Sequence, residues 1–192
     1  MKKLFSIETL KSCVPYIVAV ALFVGLSMAY FYPVMQGMQL PQNDDINGKG
    51  AARELVEYEQ ATGECAQWTN SMFGGMPAYQ IKADSSSNIY RDMNMLSRLG
   101  LPYHTMAMLF LYMVGFYLLM LSLRVNKWLS IVGAIAFAFG SYNIIIIIAG
   151  HITKAYAIAL MPAVIAGVLM VFKGRRIAGG VCTMLALGMQ IA

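Results

Sequence analysis

The charged residues of this chain avoid five long stretches. Val14 to Tyr32, Thr105 to Leu123, Trp128 to Gly150 and Ala155 to Phe172 hold no Asp, Glu, Lys, Arg or His and run 19, 19, 23 and 18 residues, close to the roughly 20 apolar residues that carry an α-helix across a bilayer. They predict four transmembrane helices. The fifth stretch, Ile177 to Ala192, has 16 residues, too short to cross about 30 Å of hydrocarbon at about 1.5 Å per residue. The sequence therefore reads as the N-terminal part of a longer protein, with its fifth helix truncated. Composition agrees: 59% of the 192 residues are hydrophobic and 12% are charged, about half the charged share of a soluble domain. A water-soluble globular protein is excluded on that balance. The formal net charge of +5 would invite nucleic acid in a soluble protein, but here the cations gather at span ends and no nucleic-acid partner is expected.

Their placement predicts orientation. Lys2, Lys3 and Lys11 precede the first span, Arg124 and Lys127 separate the second from the third, and Lys173, Arg175 and Arg176 follow the fourth, so all three clusters belong on the cytoplasmic side. The opposite side receives a segment from Pro33 to His104 with eight acidic and five basic residues. A secretory signal peptide competes for the first apolar run, with Ser27-Met28-Ala29 as its cleavage site. The run is long for an h-region of about 7 to 15 residues, which favours an uncleaved helix. The predicted fold is an all-α integral membrane protein: a polytopic helix bundle with a long extracytoplasmic first loop bearing short surface helices. It divides into 1–32 (cytoplasmic N-terminus and first span), 33–104 (extracytoplasmic loop) and 105–192 (helices two to five). In bacteria this places it in the cytoplasmic membrane. Cys13 and Cys182 fall at or within spans and leave Cys65 alone outside, so no internal disulfide framework forms. Cys65 is expected to be a small buried structural residue.

An outer loop this long is functional or disordered, and its Tyr58, Trp68, Phe73, Tyr79, Tyr90 and Tyr103 argue for packing rather than disorder. Pro33 to Pro41 should leave the first span along an irregular or extended path. Asp44 and Asp45 follow; adjacent carboxylates at a membrane surface can bind a divalent cation or take a proton from a hydroxyl, and a solvated capping turn is the competing reading. Asn47 to Gly50 leads into a short helix over Ala51 to Thr62, with Ala52, Leu55 and Val56 on its apolar stripe and Gly63 at its end. The two glycines around Lys49 lack the spacing and preceding strand of a nucleotide loop. Glu54, Glu57 and Glu59 suit the wet face of that helix better than a metal site. Trp68 to Gln80 surrounds a Gly74-Gly75 turn with aromatic and amide groups that suit sugar contact, Trp68 stacking and Asn70 hydrogen-bonding; anchoring in the membrane interface explains the same residues. Ser87 should cap an interfacial helix from Asn88 to Leu99 with Ile89, Met93, Leu96 and Leu99 on one face.

His151 and Lys154 lie between the third and fourth spans on the same side as the Asp pair. Together they can grip a phosphate near the headgroups, against which stand snorkelling and simple capping of the third helix. Asn143, inside the third span, should hydrogen-bond another helix. Sixteen methionines do not make a copper site without a His or Cys cluster beside Met35, Met38, Met72 and Met76.

Gln42-Asn43-Asp44, Gly48-Lys49-Gly50, Gly63-Glu64, the string Trp68 to Pro77 and Gly150-His151-Ile152-Thr153-Lys154 resemble, in order, the YfhO family of bacterial membrane proteins. The likeness spans most of the chain, and the Trp68 to Pro77 string is its most specific part. Members of that family are much longer, with additional spans. The family is similar to the GT-C glycosyltransferases, which move a sugar from a polyprenyl-phosphate carrier to an acceptor outside the cytoplasmic membrane and carry an essential acid in the first outer loop. The resemblance implies Asp44 as base or metal ligand, with Asp45 second, and His151 and Lys154 on the carrier phosphate. The expected partners are membrane lipid, a polyprenyl-phosphate sugar donor and an envelope glycan or polymer acceptor. The alternative is a non-catalytic membrane assembly factor or a transporter for envelope polymers. The transporter version is weakened by spans without an ionisable group.

Overall fold

The computed structural model describes residues 7–82, 89–102 and 105–191. Ser87 as a cap, Asn88, His104 and the charges of Lys2 and Lys3 lie outside the described residues. Among the described residues the structure is all-α in character, 75% helical, with one two-stranded hairpin.

Helix α1 (Ile7–Tyr30) presents a single stripe inward. Pro15, Ala19, Phe23 and Ser27 recur every fourth residue and are buried, while Ile17, Val20 and Leu22 between them face outward. One apolar stripe against protein and an apolar remainder outside is what lipid as solvent requires. After Phe31 the expected irregular exit is instead a single helical turn, α2 (Tyr32–Met35): Pro33 sits at the first positions of that turn, where a missing N–H costs nothing.

The bundle is built around α5 (Met106–Ser122), which packs against α1, α6 (Lys127–Ala138) and α8 (Ile152–Phe172). Its residues from Met106 to Met113 are buried without a break, so it is enclosed on all sides at that end. Helix α9 (Arg176–Ile191) lies along α8, and small residues make the approach close: a Cβ on Gly179 would stand 2.6 Å from the Gly167 carbonyl oxygen and 2.7 Å from the Val171 nitrogen.

Four transmembrane helices were expected, and among the described residues the structure supports two or three. Two helices, α1 over Lys11–Tyr30 and α8, are long and apolar enough to cross a membrane; a third span requires joining two bent pieces, and α5 is a shorter apolar helix. The stretch from Trp128 to Gly150 is broken into α6 and α7 (Ser141–Ala149), bent by 50°. Gly140 takes an extended conformation with φ −56° and ψ 135°, which ends the helical ladder. Asn143 Nδ2 then donates at 2.7 Å to the Phe137 carbonyl oxygen, which also accepts from the Gly140 N–H at 3.1 Å. Asn143 thus joins the two halves of one broken stretch.

On the other side of the first helix, α3 (Asn43–Thr62) starts eight residues before the expected Ala51. Asp44 and Asp45 fall in its first turn, where carboxylates favour the helix dipole. Lys49 bridges back to Asp45 at 2.6 Å and Arg53 to Glu57 at 2.6 Å, pairs one turn apart that support the helix through Gly48 and Gly50. Gly63 ends it, as the sequence suggests, in the left-handed conformation. The hairpin β1 (Trp68–Thr69) and β2 (Met76–Pro77) follows, with Trp68 opposite Pro77. Helix α4 (Ile89–Ser97) packs against α9, leaving Ile89, Leu96 and Leu99 exposed. Cys65 is exposed rather than buried, and its Sγ lies 3.4 Å from Glu59 Oε1.

Candidate functional site

Two helix N-termini meet at one end of the bundle. The first turn of α3 docks on the α7–α8 junction through Gln42, which is buried and whose Nε2 donates to the Ile147 carbonyl oxygen at 2.7 Å. The junction turns at Gly150, φ +86°. A Cβ there would stand 2.8 Å from Gln42 Cβ and 3.2 Å from the Asp45 nitrogen, so glycine is required twice, for the backbone conformation and for the approach. His151 comes next and precedes the first turn of α8.

This docking brings Asp44 and His151 together. The imidazole Nδ1 pairs with the Asp44 carboxylate, and each side chain is about half exposed, 45% and 48%. A carboxylate on one ring nitrogen fixes the orientation of the imidazole and leaves Nε2 for a further partner. The pair lines an open cavity of about 430 Å³ together with Asp45, Lys49, Gly150 and Thr153. His151 makes no side-chain cap to α8, and although the Ile152 N–H bonds the Gly150 carbonyl at 2.8 Å, an N–H of the first turn such as that of Thr153 can face an anion. One edge of the cavity is thus acidic and the other suits negative charge.

The remaining candidates are placed elsewhere. Lys154 is not on the cavity wall: its Nζ sits 5.5 Å from the centre of the Tyr142 ring. Trp68 and Asn70 belong to the hairpin, which is fixed to the middle of α3. Thr69 Oγ1 donates to Glu54 Oε2 at 2.7 Å, the Asn70 N–H reaches the same oxygen at 3.3 Å, and Ser71 Oγ donates to the Ala51 carbonyl at 2.9 Å. Ten residues of helix separate Glu54 from Asp44, about 15 Å of rise. Glu59 pairs with Lys82. Glu54 and Glu59 therefore hold the loop in shape, and among the described residues no group of three or more His, Cys, Asp or Glu converges as a metal site.

The sequence offered Gln42 and Gly150 within the strings of the family resemblance and gave neither a docking role. The signal for Gly150 was its position after an apolar run, where a left-handed helix end is expected; nothing local marks Gln42 as a docking residue. The contact predicts that Gly150→Ala, which meets both the forbidden φ and the Gln42 clash, lowers stability by about 1–3 kcal/mol. It should also part Asp44 from His151, which histidine ring NMR shifts of the variant and wild type would report.

No family model matches the chain, and no curated protein or solved structure matches it.

Proposed function

We propose that this chain belongs to a membrane glycosyltransferase of the GT-C type that transfers a sugar from a polyprenyl-phosphate carrier to an envelope acceptor on the extracytoplasmic face. The observation that carries the reading is the Asp44–His151 pair on the wall of a cavity between two helix N-termini. The sequence likeness to the YfhO family supplies the reaction class, and the basic clusters at Arg124, Lys127, Lys173, Arg175 and Arg176 support a reading with the N-terminus in the cytoplasm and the 33–104 segment outside.

Asp44 takes the proton of the acceptor hydroxyl, and His151 holds that carboxylate in position. The acceptor oxygen forms its bond to the anomeric carbon as the bond from that carbon to the phosphate oxygen breaks, with inversion, and the polyprenyl phosphate leaves with the electron pair. The first turn of α8, whose Ile152 and Thr153 line the cavity, faces the charge that develops on the leaving phosphate. Trp68 and Asn70 on the hairpin meet the acceptor glycan.

The hairpin also supports a second reading. Phe73 is 88% and Tyr79 68% exposed, a surface on which an assembly factor would hold a polymer or partner without chemistry. Reconstituted protein incubated with labelled polyprenyl-phosphate sugars and an envelope extract separates the two. Label passing from at least one carrier into polymer supports the transferase; no transfer from any donor by folded protein that still binds the extract favours the assembly factor.

A further inference from the structure

At the far end of α8, a second cavity of about 430 Å³ opens between the turn joining α5 to α6 and the turn joining α8 to α9. Its wall carries Arg124 and Lys127 from the first turn and Lys173 and Arg175 from the second. Among the residues whose side chains are described, which on α1 begin at Lys11, no carboxylate lines it or pairs with any of the four. Lys127 Nζ donates to the Ser12 carbonyl at 3.2 Å and lies 4.5 Å over the Tyr16 ring, and Lys173 Nζ donates to the Ser122 carbonyl at 2.5 Å. These contacts hold the two ammonium groups in place and neutralise neither. Four like charges around one cavity repel, and an anion among them relieves that repulsion.

The two turns have the same backbone. The Arg124 N–H bonds the Leu121 carbonyl and the Val125 N–H that of Met120; the Gly174 N–H bonds Val171 and the Arg175 N–H bonds Met170. Both are Schellman turns, whose pivotal residue is left-handed and usually glycine. Gly174 meets that demand at φ +86°, but Arg124 occupies the equivalent place at φ +62°. An arginine held where its counterpart is glycine is a strained residue at a cavity wall, and such strain collects at binding sites.

The position selects the source of the anion. The 21 residues of α8 rise about 31 Å at 1.5 Å each, about the hydrocarbon thickness, so this cavity lies at the opposite headgroup level from Asp44 and His151. Beneath the cations its wall is apolar, with Leu118, Leu121 and Met170. A charged mouth over an apolar floor matches a lipid, phosphate outward and acyl chain inward. We propose that this cavity binds the phosphate headgroup of an anionic phospholipid. The site is independent of the glycosyltransferase reading and requires only that the bundle sits in a membrane.

The test places the protein, in a Trp68→Phe background, in phosphatidylcholine nanodiscs and follows quenching of Trp128, the neighbour of Lys127, by brominated phosphatidylglycerol or brominated phosphatidylcholine. Wild type is expected to be quenched at a far lower mole fraction of the anionic lipid. Arg124→Gly, which adopts the backbone that Gly174 already uses, and Arg175→Gln should each weaken that preference about fivefold, and the double variant about 30-fold, with thermal melting of each single variant no lower than wild type. Equal quenching of wild type by the two lipids, or a preference that survives both substitutions, overturns the proposal. Inorganic phosphate at millimolar concentration should leave the quenching unchanged; displacement of the brominated lipid by it would assign the cavity to a soluble phosphate and overturn the lipid assignment.

Discussion

Gly115→Ala is expected to unseat the bundle, although it adds one methyl group. Gly115 lies where α5 crosses α8, and a Cβ there would stand 2.1 Å from the Ala159 carbonyl oxygen. Ordinary contact begins near 3.4 Å, so the two backbones must part by more than an ångström, and no flexible side chain is there to yield. Overpacking of this kind costs about 1–3 kcal/mol. The contact is backbone to backbone in the helix pair that organises the core, which puts the cost at about 3 kcal/mol, or about 6–12 °C in melting temperature for a chain of this length. The adjacent-helix control is Gly180→Ala on α9, where a Cβ meets nothing within 4 Å. It should raise helix stability by up to about 1 kcal/mol. Thermal melting of the two variants in detergent checks both signs at once, and equal melting temperatures would show that the α5–α8 crossing is looser than described.

The second large effect is on chemistry. Asp44→Asn keeps the size of the side chain and a hydrogen bond to His151 but removes the carboxylate that the proposed mechanism uses as base. Loss of a positioned general base lowers rate by about 10²- to 10⁴-fold, and the fall should appear in kcat, because the acceptor still binds. Asp45→Asn is expected to do much less. The Asp45 carboxylate is held by Lys49 at 2.6 Å within its own helix, whereas that of Asp44 reaches across to His151. Steady-state release of carrier phosphate by the two variants distinguishes them, and a larger loss from Asp45→Asn would exchange their roles.

How much of this was legible in the sequence depends on whether local pattern or tertiary contact decided the outcome. Charge-free runs located α5 and α8 to within three residues, and α1 except for its first two turns, because hydrophobicity and length are local properties. The same signal failed between Trp128 and Gly150. An unbroken apolar run looks alike whether the helix is straight or broken, and Gly140 with Asn143 were the marks of the break. Helix α3 began earlier than Gly48 and Gly50 suggested, because Gln42 docking on Ile147 and the acidic first turn outweigh two unfavourable propensities. At the site, topology alone put Asp44 and His151 on one side, and no spacing rule pairs residues so far apart in the chain. Lys154, one helical turn beyond His151, was an equal candidate in sequence, and the structure turns it to Tyr142.

The central claim is that Asp44 and His151 act as one unit. The most direct test is a double-mutant cycle on carrier-phosphate release, comparing wild type, Asp44→Asn, His151→Gln and the double variant in lipid with the active donor. If His151 works by holding Asp44, its loss costs little once Asp44 is gone, and the double variant is no slower than Asp44→Asn alone. Independent losses that multiply in the double variant, or release unaffected by Asp44→Asn, would contradict the account.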